Sequence, residues 1–173
     1  MKRLITNDTK QNKKQKISKE CKIIDTIKNI KYPRSLIQTP CSKFLIGIEN
    51  HSIYCYNLET KQKVQIAGRV HQFGHKDGTR DESLFHYPKD LTLSKDLKTL
   101  FISEALNDVI RAICVGTGVT TTFAGQFCHY KQIDGPKEKA CFQSPRCLKL
   151  SPDGNTLFVA DFKSLRSICI ATG

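Results

Sequence analysis

The chain has 173 residues, is 39% hydrophobic and 25% charged, and carries 28 Lys or Arg against 16 Asp or Glu for a formal net charge of +12. That length suits one domain, and no stretch of about eighteen apolar residues is present to cross a membrane as a helix. The opening MKRLITNDTKQNKKQKISKE lacks both the apolar core of a secretory signal and the Arg- and Ser-rich make-up of a mitochondrial transit peptide, so a cytoplasmic protein is expected, with the nucleus as the second compatible compartment.

Residues 1–31 hold ten Lys or Arg against three acids, so the excess charge is concentrated at the front of the chain. Residues 1–20 read as a disordered basic tail. Within it Lys10, Lys13, Lys14, Lys16 and Lys19 are candidate electrostatic contacts for an acidic protein, RNA or an anionic membrane surface; the plainer reading is a solvated arm. Residues 21–32 form a transition segment. Its Ile23, Ile24, Ile27 and Ile30 fit a helical stripe, yet the β-branched content also suits a strand completing a neighbouring sheet, and the strand is favoured.

From Pro33 the chain repeats. Sixteen residues after each of Pro33, Pro88 and Pro145 stands an acid: Glu49, Glu104 and Asp161. The gap-free segments between are RSLIQTPCSKFLIGIE, KDLTLSKDLKTLFISE and RCLKLSPDGNTLFVAD. Each predicts an alternating strand, a polar turn and a more continuously apolar strand. A third strand follows in SIYCYN, VIRAIC and LRSICI, with Arg111 and Arg166 at one position and Tyr54 in their place in the first copy. A fourth is predicted over VTTTFAG and QKVQIAG, half exposed at a sheet edge. Ahead of the second and third copies, Asp77-Gly78 and Asp134-Gly135 lie eleven residues before the proline and Phe85 and Phe142 three before it. The Asp-Gly pairs read as tight turns and the phenylalanines as anchors for long linkers; one Asp and one Gly fall far short of a calcium loop.

Four short antiparallel strands at a near-constant period, without helical segments, describe a propeller blade. The fold class is therefore all-β: a partial β-propeller of about three four-stranded antiparallel blades, the last lacking its fourth strand. The blades run 33–68, 88–125 and 145–173, with linkers 69–87 and 126–144. The motif series D-G-x(6)-F-x-x-P, then L-x-L-S-x-D-x-x-x-L-F-[IV]-[SA]-[DE], then I-R-x-I, then T-G-V-T-T-x-x-A-G closely resembles the NHL repeat in its long-linker form, over roughly residues 33–173. The resemblance implies blades of a β-propeller, usually six to a ring. Two and three-quarter blades cannot close one, so the sequence is expected to be a fragment, or its ring to be completed by further copies or a partner.

The recurring acids and arginines invite a catalytic reading, but a catalytic group is needed once and a structural one in every blade. They are read as structural ion pairs, partly exposed and worth about 0–1 kcal/mol each. No catalytic residue, metal site or cofactor is expected. Cys128 and His129 with Cys141 and Cys147 match no compact zinc spacing, and most of the eight cysteines read as reduced, packed thiols, Cys114 and Cys169 in strand-like runs. Phe73, Phe85, Phe101, Phe123 and Phe142 are expected at packing positions. The resulting expectation is a non-catalytic interaction scaffold for a protein partner. The alternatives are RNA binding through the tail and a propeller face, and a truncated part of a larger NHL-containing enzyme.

Overall fold

The computed structural model describes residues 27–126 and 131–171; the basic tail with its five candidate lysines, Cys21, Ile23, Ile24, Cys128, His129 and Thr172-Gly173 lie outside them. The described residues contain strands and no α-helix. The first sheet is β1 (Pro33–Gln38), β2 (Phe44–Glu49), β3 (Ser52–Asn57) and β4 (Lys63–Gly68). The second is β5 (Pro88–Leu93), β6 (Thr99–Glu104), β7 (Val109–Cys114) and β8 (Thr120–Ala124). The third is β9 (Cys147–Leu150), β10 (Thr156–Asp161) and β11 (Ser164–Cys169). Each sheet is an antiparallel meander in chain order. The first strands lie beside one another, β1 next to β5 and β5 next to β9, so the sheets are arranged as consecutive blades of a partial β-propeller.

Burial explains why the second strand of each blade reads as an apolar run while the first alternates. On β6, Leu100 and Ile102 enter a core with Ile46, Ile48, Ile53, Ile66 and Leu91. Phe101, on the opposite face, enters another with Leu148, Leu157, Val159 and Ile168. The middle sheet is thus covered on both sides, as the strands of stacked layers must be.

The turn joining the first two strands places Ser42, Leu97 and Gly154 in the left-handed region, at φ 58°, 62° and 83°. Only the third copy puts glycine there; the exposed Leu97 lacks that conformational freedom. Residues 27–32 form neither strand nor helix, against the expected strand. Asn29 and Tyr32 have φ of 63° and 52°, which breaks an extended run, and the Lys31 amide donates to Glu49 instead of to a ladder.

Candidate functional site

The recurring charged residues converge on one arrangement, built once against each described linker. Arg111 on β7 is fully buried, and so is Glu104 at the end of β6. Arg111 Nη1 donates to Glu104 Oε1 at 2.5 Å and to the Leu84 carbonyl at 3.1 Å. Its Nη2 donates to the Lys76 carbonyl at 2.9 Å and to Asp77 Oδ1 at 2.6 Å. The guanidinium also stands 5.1 Å from the centre of the Phe85 ring. Arg166 repeats this with partners that are all displaced by one step along the chain, the arginine itself by two residues fewer. It donates to the carbonyls of Cys141 and Ile133 at 2.5 and 2.8 Å and to Asp134 Oδ1 at 2.7 Å, lies 3.6 Å from Asp161 Oδ2, and sits 4.5 Å from the Phe142 ring centre. The planar fork of arginine suits this work, because it can serve two carboxylates and two carbonyls in fixed directions.

Two expectations change here. The Arg111–Glu104 pair is buried, not partly exposed, because the linker folds over it and excludes water. Burial moves it from the regime of small surface contributions to one in which losing either partner strands a charge. The Asp-Gly pairs are not tight turns. Gly78 exchanges amide and carbonyl hydrogen bonds with Thr120 on β8, an extended bridge, and the turn begins only at Thr79. Both glycines do have positive φ, 148° and 150° at Gly78 and Gly135. Asp77 is directed inward to Arg111 while its Oδ2 accepts from the Thr122 amide at 2.9 Å.

The acids are held from the linker side too. Glu104 Oε2 accepts from the His86 amide and from Asn107 Nδ2, both at 2.6 Å, and Asp161 accepts from the Gln143 amide at 2.8 Å. Burial pushes the Glu104 carboxyl up to about 7, against the opposing pull of Arg111 and these donors. Phe85 and Phe142 are fully buried beneath the arginines and press on Gly68 and Gly125, the last residue of β4 and the residue following β8.

The first blade solves the same problem with other residues. Tyr54 occupies the strand position of the arginines, since it pairs with Gly47 as Arg111 pairs with Ile102. The partners of buried Glu49 come from elsewhere: Lys63 Nζ on β4 reaches both oxygens at 3.0 and 3.1 Å, and the Tyr56 hydroxyl donates to Oε1. No sequence comparison could assign Lys63, because the fourth strand aligns with segments that carry no such role.

Sequence reasoning also missed the seam between blades. Asp90 Oδ1 accepts from Ser35 Oγ in the first blade at 2.5 Å, and its Oδ2 from the Leu148 amide in the third at 2.8 Å. Ser103 accepts from the Asp90 amide and donates to the Arg146 carbonyl. The residues preceding Pro88 and Pro145 are latched to the previous blade, Tyr87 by its amide to His51 Nδ1 and Ser144 by its amide to Asp108 Oδ1. The sequence signal was available in part, since Ser35 and Asp90 both stand two residues after a repeat proline.

The thiols and one aromatic also depart from expectation. Among the described residues Cys41, Cys114, Cys147 and Cys169 are exposed, Cys55 is intermediate and only Cys141 is buried. Cys114 and Cys169 end their strands, where the covering sheet stops. Phe73 is exposed and stacks on His86 at 4.7 Å instead of entering a core. Among the described residues no three His, Cys, Asp or Glu gather closely enough to hold a metal. No helix long and apolar enough to cross a membrane is present among them.

No protein-family model matches this sequence, and no curated protein does. Solved structures do match. The fold is similar to an auxiliary nutrient binding protein from Bacteroides thetaiotaomicron, with TM-score 0.61 and 20% identity over 73% of this chain and 34% of that one. An auxiliary nutrient binding protein from Bacteroides ovatus gives TM-score 0.63 and 18% identity over 77% and 37%. A nidogen/laminin complex gives 0.56 and 14% over 83% and 45%. At these identities the likeness is one of fold. The chain spans between a third and a half of the length of these structures.

Proposed function

We propose that this chain is a non-catalytic NHL-type propeller module that serves as a protein-interaction scaffold. The observation that carries the reading is the repetition of the arginine clamp at Arg111 and Arg166, each with an Asp, an acid, two carbonyls and a Phe. In each copy both terminal guanidinium nitrogens are held by linker and blade acceptors. The motifs that supply them are those that resemble the NHL repeat. What is left for recognition is the exposed surface of the blades, which suits binding to another macromolecule more than turnover of a small one. Chemical crosslinking of the 173-residue chain in cell extract, read by mass spectrometry, tests this. Reproducible protein crosslinks clustered on one blade surface are expected. Ultraviolet crosslinking to RNA, with no protein enriched, would sink the reading.

A further inference from the structure

In every copy the residue after the repeat proline is basic: Arg34, Lys89 and Arg146. Arg34 and Lys89 are the second residues of β1 and β5 and Arg146 directly precedes β9; these strands lie side by side, so the repeat brings three cations to one end of neighbouring first strands. At β1 and β5 the register shifts at that point, and such a bulge re-aims the side chain away from the ladder.

The first two cations meet on one ring. Arg34 Cζ lies 3.9 Å and Lys89 Nζ 4.0 Å from the centre of Tyr87, whose amide is fixed by His51. Arg34 Nε is buried without an acceptor among the described residues. His51 and His86 are adjacent, their rings 6.0 Å apart. Burial, then His86 and Arg34, hold the His51 pKa below its usual value, while contacts from Arg34 and Lys89 lower that of the Tyr87 phenol.

The nearby acids are committed elsewhere. Asp90 serves Ser35 and the amides of Leu91 and Leu148; Glu49 serves Lys63 and Tyr56; Glu104 serves Arg111. Among the described residues none of Arg34, Lys89 and Arg146 pairs with a carboxylate. Like charges held this close, with a buried donor left over, fit an anion supplied from outside the chain.

We propose that Arg34, Lys89 and Arg146 form a docking site for a carboxylate-rich segment of a protein partner. This rests on the scaffold reading and names the chemistry of what the scaffold holds. A ring already carrying two cations offers a nucleotide base little stacking surface, so point-charge recognition of Asp and Glu side chains is favoured over RNA. The site is on the first strands of the blades, not on the linkers that the arginine clamps hold.

The test is fluorescence anisotropy of a labelled Glu- and Asp-rich peptide with the full chain, beside a Gln- and Asn-substituted peptide of the same length. Arg34→Gln with Lys89→Gln is expected to weaken the acidic peptide by about tenfold or more, and Arg146→Gln alone, at an exposed position, by about threefold. Lys95→Gln with Lys98→Gln removes equal charge at the far end of the second blade and should change binding by less than about twofold. The basic tail contributes the same background to every variant. Equal loss in both double variants, no binding of the acidic peptide, or tighter binding of single-stranded RNA lost in the same double variant would each overturn the site. Should the double variant fold poorly by circular dichroism, Arg146→Gln decides alone, and unchanged affinity there is equally fatal. Protein crosslinks that persist in a folded Arg34→Gln/Lys89→Gln chain would overturn this site and leave the scaffold reading standing.

Discussion

At the scale of the residue, Arg111 and Arg166 make the same contacts with different burial, and that difference sets what each is worth. Arg111 and Glu104 are both fully buried and in direct hydrogen-bond contact, whereas Arg166 lies 3.6 Å from the equally buried Asp161 and makes its close ion pair with Asp134, which is 95% exposed at its side chain. Arg111→Ala leaves a buried carboxylate and two linker carbonyls without their donor and should cost about 3–5 kcal/mol. Arg166→Ala should cost less, about 1–2 kcal/mol, because water can reach Asp134 and buried Asp161 keeps its donors from Gln132 and the Gln143 amide. Urea unfolding at pH 8 measures both, and equal losses would contradict the burial argument. Glu104 adds a pH dependence. Its carboxyl is raised to about 7 in the folded chain, mainly by burial, from an ordinary 4.5. The folded state then binds this proton more tightly than the unfolded state does. The associated stability is present below about pH 4.5 and is lost as pH rises towards 7. The difference in unfolding free energy between wild type and Glu104→Gln should shrink across that window. Parallel profiles would mean that Glu104 is ionised throughout. The sequence displayed the acid and the Asp-Gly at a constant offset and the arginine at one strand position after a link of variable length, but not that they meet, because Asp77 and Arg111 stand 34 positions apart with a whole hairpin between.

At the scale of the element, strands were legible and linkers were not. Alternation with a period of two identifies a strand facing one core, and continuous apolar runs such as Leu100-Phe101-Ile102 mark one packed on both faces. Both patterns are local, so the sequence carries them openly. The linkers have no period, and their order comes from contacts made at a distance. Asp-Gly read as a tight turn because that dipeptide usually serves one; here the chain stays extended, bridged to β8, since the carboxylate has a stronger partner in Arg111. The junction of blade and linker is correspondingly tight. Gly125 has φ 98°, and a Cβ there would stand 2.8 Å from the Asp108 carbonyl and 2.9 Å from the Phe142 ring. Gly125→Ala should therefore destabilise the chain by about 2 kcal/mol or more, through both backbone conformation and crowding of the linker anchor. Gly116, with nothing within 4 Å, is the control, and its replacement by Ala should stay within about 0.5 kcal/mol. Denaturant midpoints for the pair check this, and a tolerant Gly125 would show that Phe142 has room to move.

At the scale of the whole molecule, the middle blade is covered on both faces, and the third blade shows one face to solvent. Phe158 on β10 and Leu165 on β11 share the outer face of the third sheet, by the pairing of Phe158 with Ser167 and Ala160 with Leu165, and Leu165 is 88% exposed. Among the described residues β11 pairs only with β10, so its other edge presents a row of amides and carbonyls beside that apolar face. An unpaired edge joined to exposed apolar side chains is a template for adding a further strand, whichever chain supplies it. The 173-residue chain prepared alone should associate in a concentration-dependent way through this edge. Positive charge is an effective gatekeeper at such a site, because a lysine brought against the lysines of a chain already at +12 repels a second copy as well as breaking the apolar face. Leu165→Lys should lower the weight-average mass in sedimentation velocity at a given concentration. Leu106→Lys, at an exposed leucine in the loop between β6 and β7, should leave it unchanged. Equal relief by both substitutions would assign the effect to net charge, and no relief by either would place the contact away from β11.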